Sequence, residues 1–362
     1  ILGIDDRETP EILQQKEDLR FLISKRILEI YASRTIVVNG KHDAIPLDLN
    51  SHVQREIKSF TQGHEKKFFK AAYARSGRYR PMIIAKLREA GLPEELSWLP
   101  LIESGYKVNA LSKARALGMW QFIPSTGYKF GLKRNKYIDE RLDPVKSTDA
   151  AIAYMKEMHL MFGDWATVLA GYNCGEGRVS HVIRTQNINY LDNFWDLYQR
   201  LPRETARYVP RYLATLHIVK DPVKYGLDTV ALEPPMTFET VKMPGHRHLR
   251  HVAKAINTSE KDLKLLNPEL RYNITPDDNY PLRVPPDKAP ILLTKISTIP
   301  KSNPPQPAYV YHRIRKGETL STIARRYGTS VGKIARANNL RSNSRIYAGK
   351  KLKIPQKGKV VY

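Results

Sequence analysis

Leu96-Ser97-Trp98-Leu99-Pro100-Leu101-Ile102-Glu103-Ser104-Gly105 is an apolar stretch that ends in a carboxylate, a hydroxyl and a glycine. It predicts a helix over 94–104, closed by Gly105. Leu99, Leu101 and Ile102 place Glu103 so that it leaves this helix from an apolar, buried position. Burial disfavours the carboxylate, and the negative end of the helix dipole adds to that. Both push the carboxyl pKa up, which is what a general acid near neutral pH needs. The ten residues alone leave a second reading open, in which Glu103 caps the surface end of a helix.

The segments downstream weigh towards chemistry. Ser112 follows, then Gly118-Met119-Trp120-Gln121-Phe122-Ile123-Pro124-Ser125-Thr126-Gly127. A glycine, an aromatic, an amide and a Pro/Ser/Thr helix start within one short stretch suit a sugar site. Aromatic faces stack on the apolar faces of sugars, and Gln and Ser offer neutral hydrogen bonds to N-acetyl and hydroxyl groups. Ala170-Gly171-Tyr172-Asn173-Cys174-Gly175-Glu176-Gly177 sets a phenol and an amide on a glycine-rich turn before a helix. Glu204-Thr205-Ala206-Arg207-Tyr208-Val209 opens an apolar helix with an acid in its first turn. Plainer readings fit several neighbours. Trp98 and Trp165 read as core, Trp120 as core or sugar platform, Glu176 as a helix-start charge and Cys174 as a small buried filler.

Around these segments, helical periodicity predicts a run of short helices. One begins after Pro10 and continues to about Ile30, and Ile36–Val38 with Asn39-Gly40 reads as an extended piece and a turn. Others fall near 50–60, 65–74, 81–90, 148–162, 164–172, 176–185, 192–199 and 204–220, which together predict one compact all-α domain. Beyond 236 the chain repeats itself. Leu249, Val252, Ala253, Thr258, Ser259, Leu263 and Asn267 recur 71 residues later as Leu320, Ile323, Ala324, Thr329, Ser330, Ile334 and Asn338. Each unit reads strand, helix, turn, helix, strand. Thirteen of the 24 prolines fall in 231–307, and 287–307 reads as an extended linker, with a short strand at Ile291–Thr294 as the alternative there.

Composition limits the function classes. The 362 residues are 41% hydrophobic and 27% charged, enough for a real core. No apolar run nears the ~20 residues a bilayer span needs. A single cysteine rules out a disulfide framework and a cysteine-based zinc site. His246, His248 and His251 read as surface histidines, so neither a metal nor a cofactor is expected. The net charge is +24, and residues 291–362 hold sixteen Lys/Arg against one acid, Glu318. Such a tail calls for an anionic partner. No zinc, helix-turn-helix or RNA-binding pattern accompanies it, which disfavours nucleic acid and favours an acidic wall polymer.

In order and spacing, the four segments around Glu103, Gln121, Tyr172 and Glu204 resemble the family 1 lytic transglycosylases of the goose-type lysozyme superfamily, over roughly residues 50–225. The 309–355 unit resembles a LysM module through Gly317, Glu318, Thr319, Leu320, Asn338 and Asn339, which the resemblance makes its glycan-binding residues. The earlier unit resembles a degenerate LysM, with His246-Arg247-His248 in place of Gly-Glu-Thr. The fold class implied is multidomain: an all-α lysozyme-like catalytic domain followed by small α+β modules of βααβ type. Its parts are a helical extension (1–49), a catalytic domain (50–230), a degenerate LysM-like module (236–286), the linker (287–307) and a LysM module (308–356).

The resemblance also implies roles. Glu103 serves first as acid and then as base at the bond between N-acetylmuramic acid and N-acetylglucosamine, leaving a 1,6-anhydromuramoyl end. Ser112 and Gln121 orient the N-acetyl group and the sugar, Tyr172 hydrogen-bonds near Glu103 or the C6 hydroxyl with Asn173 beside it, and Met119 and Trp120 line the cleft. Glu204 stands behind, holding the helices and Tyr208. Gly171 stands where the family often has Ala. Two other functions stay open. A muramidase on the same fold needs a second carboxylate, with Asp139 and Asp143 as candidates; a non-catalytic peptidoglycan-binding scaffold needs none. The partner is peptidoglycan, with other wall enzymes as further partners. The expected place is the periplasm or cell envelope, with any lipid anchor upstream of Ile1.

Overall fold

The computed structural model describes residues 45–185, 194–276, 279–303 and 309–355. The helix expected after Pro10, the extended piece at Ile36–Val38, and Pro304, Pro305 and Pro307 lie outside the described residues. The chain divides into two compact units. One takes the residues up to Glu239 with Lys264–Arg271 and Arg283–Asp287; the other takes Thr240–Leu263, Tyr272–Leu282 and the chain from Lys288.

The first unit is helical: α1 (Ser51–Thr61), α2 (Lys66–Glu89), α3 (Leu99–Ser104), α4 (Pro124–Lys129), α5 (Pro144–Phe162), α6 (Trp165–Cys174), α7 (Glu176–Thr185) and α8 (Arg203–Lys220), with short 3-10 turns between. Polar side chains start several of these helices by accepting backbone N–H groups that have no partner within the helix. Asn50 accepts from His52 and Val53, Asp143 from Val145 and Lys146, and Asp164 from Thr167. Trp98, Trp120 and Trp165 all lie in the core.

The sequence predicts a break between 65–74 and 81–90, yet α2 runs unbroken through Gly77 and Pro81. Proline inside a helix costs about 3 kcal/mol. Phe69, Tyr79, Ile83 and Leu87 form one buried stripe along α2, each worth roughly 1.5–3 kcal/mol, so burial outweighs the lost bond. Gly77 is required by packing: a Cβ there would stand 2.3 Å from the Glu233 carbonyl oxygen.

The repeat folds as the pattern implies. β1 (Glu239–Met243), α9 (Leu249–Ala255), α10 (Glu260–Leu266) and β2 (Tyr280–Val284) match β3 (Tyr309–Arg313), α12 (Leu320–Arg326), α13 (Val331–Ala337) and β4 (Lys351–Pro355). β1 pairs with β2, and β3 pairs antiparallel with β4 from Tyr309 opposite Pro355 to Arg313 opposite Lys351. The shared asparagine has a physical reason. Asn338 donates to the Lys353 carbonyl at 2.7 Å and accepts the Lys353 N–H at 2.8 Å. Asn267 does the same with Arg283, at 2.8 and 2.9 Å. Each amide staples the end of the second helix to the last strand. Asn338→Ala should therefore lower the stability of the second repeat by about 1–2 kcal/mol, read as an earlier thermal transition of the full chain.

The degenerate turn keeps its backbone. His246 adopts φ 61° where Gly317 has φ 84°. The His248 imidazole caps the Arg250 N–H at 3.0 Å, as Thr319 caps that of Thr322 at 3.2 Å. The charge is reversed, however. The Glu318 carboxylate takes the Arg315 N–H and the His312 imidazole, with Arg326 beside it, which pulls its pKa down to about 2. Arg247 instead donates to the Gly245 carbonyl.

Two expectations are corrected here. Part of the presumed linker is a helix, α11 (Ala289–Lys295), with Leu292 fully buried and Pro290 in the first turn, where a missing N–H costs nothing. Leu320 and Asn338 are not free to touch glycan. Leu320 is core, and the Asn338 amide also donates to Ile334, so it is spent within the fold.

Candidate active site

α3 is short because Pro100 opens it and Gly105, at φ 60°, closes it. The Gly105 N–H bonds the Leu101 carbonyl at 3.0 Å and the Tyr106 N–H bonds the Pro100 carbonyl at 3.1 Å. Ser104 then donates to the Met119 carbonyl at 2.8 Å, tying α3 to the loop before α4. Glu103, in this last turn, faces a cavity of about 1540 Å³ whose walls include Ser112, Gln121, Tyr172, Asn173, Glu204 and Tyr208. The Tyr208 hydroxyl on α8 donates to the Glu103 carboxyl. Glu103 keeps some surface open to the cavity, but protein surrounds its carboxyl. That burial is the largest cause of a pKa raised to about 7. The Tyr208 hydrogen bond pulls it down and the negative charge of Glu204 pushes it up. The reading of Glu103 as a surface cap is displaced.

The other expected residues divide. The Ser112 hydroxyl oxygen accepts the Ala116 N–H at 3.0 Å, which leaves its own hydrogen to donate. Gln121, at φ 52°, spends its amide nitrogen on the carbonyls of Gly118 (2.7 Å) and Ala110 (3.2 Å). Its carbonyl oxygen is then the group left to accept a donor. The Tyr172 hydroxyl donates to the Trp120 carbonyl at 2.8 Å, so Tyr208 rather than Tyr172 holds Glu103. Asn173 accepts from the Thr205 hydroxyl at 2.8 Å, which turns its NH₂ outwards from that bond. Glu204 is exposed on the cavity wall and acts on Glu103 through its charge.

Met119 and Trp120 correct the sequence reading. Both are fully buried and absent from the cavity wall. The left-handed turn at Gln121 puts that side chain in the wall, while Met119 and Trp120 face the core. The Trp120 indole N–H is spent on the Thr148 hydroxyl at 2.9 Å. Asp139 and Asp143 are not in the wall either. Asp139 is salt-bridged to Arg141 at 2.8 Å, and Asp143 caps α5 and pairs with Arg283 at 2.7 Å. Sequence reasoning passed over Tyr154, whose ring packs on Tyr172 with centroids 5.5 Å apart and whose hydroxyl donates to Glu176 at 2.8 Å. Nothing in the α5 sequence marks it, since Tyr154 reads as one more apolar helix position.

Residues 80–193 match the family described as Transglycosylase SLT domain, residues 312–355 the LysM domain, and residues 237–301 the LysM-like domain of lytic transglycosylase MltD. The chain is 34% identical over 288 residues to the membrane-bound lytic murein transglycosylase D of Escherichia coli K12, which covers 76% of this chain and 63% of that protein. The same figures hold for the protein from strain CFT073. The chain thus spans somewhat under two thirds of the length of these curated relatives. Among solved structures, lytic transglycosylase Slt of Pseudomonas aeruginosa aligns at 23% identity with TM-score 0.36, covering 49% of this chain and 28% of that one.

Proposed function

We propose that this chain, which resembles the MltD lytic transglycosylases over three quarters of its length, cleaves peptidoglycan without water and leaves 1,6-anhydromuramoyl ends. The observation that carries the reading is a single carboxyl, Glu103, with its pKa at about 7 in a cavity large enough for several sugars. Glu56 and Glu65, the other acids of the wall besides Glu204, are locked to Arg207 and Arg211. Protonated Glu103 gives its hydrogen to the glycosidic oxygen between N-acetylmuramic acid and N-acetylglucosamine, and the C1–O bond breaks. The N-acetyl oxygen supports the positive charge on C1, so no second carboxylate is needed across the bond, unlike ordinary glycosidases. The carboxylate then takes the proton of the muramoyl C6 hydroxyl, whose oxygen closes on C1. Ser112 as donor and Gln121 as acceptor suit the carbonyl and N–H of an N-acetyl group. The LysM module, 308–356, binds the glycan strand that the catalytic part, 50–230, cuts. A place in the cell envelope follows from this substrate and from the membrane-bound relatives; no described helix is long and apolar enough to cross a membrane.

Mass spectrometry of digested sacculi tests the reading. Ends lighter than the hydrolytic product by one water support it; reducing ends indicate a muramidase, and undigested sacculi a binding scaffold. Tyr208→Phe should lower turnover by roughly tenfold and move the high-pH limb of the rate profile upwards, because the lost hydrogen bond was holding the Glu103 pKa down. A pH–rate series on the variant checks the direction.

A further inference from the structure

α8 carries Arg203, Arg207 and Arg211 at i, i+4 and i+8, so three guanidinium groups share one stripe of the helix. α1 lies against α8, and Glu56 on α1 with Glu65 just before α2 supply acids to two of them. Arg207 donates to both oxygens of Glu56 at 2.7 and 2.9 Å. Arg211 donates to both oxygens of Glu65 at 2.8 and 2.9 Å, and to Glu56 at 3.3 Å. These carboxylates are fully engaged, and Arg211 helps to hold Glu65 at a pKa of about 2. Arg203, one turn before Arg207, has no acid paired with it among the described residues. Arg55, the neighbour of Glu56 on α1, reaches the His52 imidazole at 3.1 Å and no carboxylate among the described residues. Arg55 and Arg203 are both exposed, and both line the cavity that holds Glu103. The acid nearest in sequence, Glu204, shares its stripe with Tyr208 rather than with Arg207, and its charge acts on Glu103.

We propose that Arg55 and Arg203 form a carboxylate-binding subsite of the cleft, which takes the free carboxylates of the peptide branches on the glycan strand. The proposal rests on the peptidoglycan reading of the cavity. Each peptide branch carries several free carboxylates, whereas a muramoyl residue whose branch is removed keeps one, on its lactyl group. Guanidinium is the group suited to planar carboxylates, by two parallel N–H bonds. Flanking the Arg207–Glu56 pair, the two groups are set by packed helices rather than by a loose loop. The cleft therefore favours strands that keep the carboxylates of their peptide branches over strands with no free carboxylate.

The test uses the full chain with Glu103→Gln, so that strands are bound and not cut. Affinity is measured for peptide-bearing glycan strands and for the same strands stripped by an amidase and methyl-esterified on the lactyl carboxylates that stripping exposes, at low and high salt. An exposed ion pair changes affinity by up to about fivefold, so two predict a preference of roughly tenfold at low salt that shrinks as salt screens it. Adding Arg55→Gln and Arg203→Gln should bring the ratio of the two affinities towards one, and Arg203→Glu should push it further than Arg203→Gln. Thermal unfolding of the variants verifies that the fold is kept. Equal affinities in the parent, a salt-independent ratio, or an unchanged ratio in the double variant would overturn the subsite. The transglycosylase reading fails separately, if the active chain releases no anhydro ends from either strand.

Discussion

Glu103→Gln should cut the release of anhydro ends by roughly three orders of magnitude while glycan binding persists, as expected when the one proton donor and acceptor is removed. Gln keeps the shape and can still accept from Tyr208, so the cavity should stand. Retained turnover would place the acid elsewhere. The wild-type rate should be highest below about pH 7 and fall above it, because the first step needs the protonated carboxyl and its pKa lies at about 7. Stability follows the same group. A carboxyl whose folded pKa is raised above its ordinary value stabilises the fold at low pH, and that contribution is lost as pH rises through about 7. The Gln variant has no such loss. It should match the wild type near pH 4 and exceed it near pH 8, by on the order of 1–3 kcal/mol. Thermal unfolding at the two pH values checks the sign.

Gly118→Ala should destabilise the helical unit by on the order of 3–5 kcal/mol and remove activity with it. Gly118 has φ 88°, and a Cβ there would stand 1.9 Å from the Arg141 carbonyl oxygen. That carbonyl has no room to retreat. The Arg141 side chain is held by Asp139 at 2.8 and 3.0 Å and by the carbonyls of Arg115 and Phe122 at 3.2 Å. Gly118 also supplies the carbonyl that positions the Gln121 amide. Differential scanning calorimetry should show the main transition about 10 °C lower, at roughly 2–4 °C per kcal/mol for a unit of this size. A transition within 2 °C of wild type, by the same scale, would mean that the loop yields where the contacts say it is fixed.

The stop of the helix at Gly105 was legible, since a glycine there acts locally, but its start was not: 94–104 reads as one helix, whereas Glu94–Trp98 is a 3-10 turn and the α-helix begins at Leu99, beside Pro100. So was the direction of the Glu103 shift, because apolar neighbours in sequence are neighbours in a helix. The βααβ repeat was legible too, and its asparagine turned out to bind the adjoining strand in both copies. Met119 misled because a one-dimensional motif does not say which of its residues turn inwards; the backbone reversal at Gln121 decides that. Pro81 misled in the opposite sense, as a local break signal overridden by the buried stripe of α2. The helix at Ala289–Lys295 was hidden by proline counting, which cannot tell a helix start from an extended linker.

What the residues fixed on their own were the properties carried within a few positions: the helix stop at Gly105, turn chemistry, the repeat and the presence of one acid in greasy surroundings. Partners distant in the chain were decided only by folding. Tyr208 meets Glu103 across 105 positions, Glu56 meets Arg207 across 151, and Asp143 is taken by Arg283 across 140. Hydrogen bonds and ion pairs act over a few ångströms in space whatever the separation along the backbone, so pairing of this kind is settled by how the helices pack.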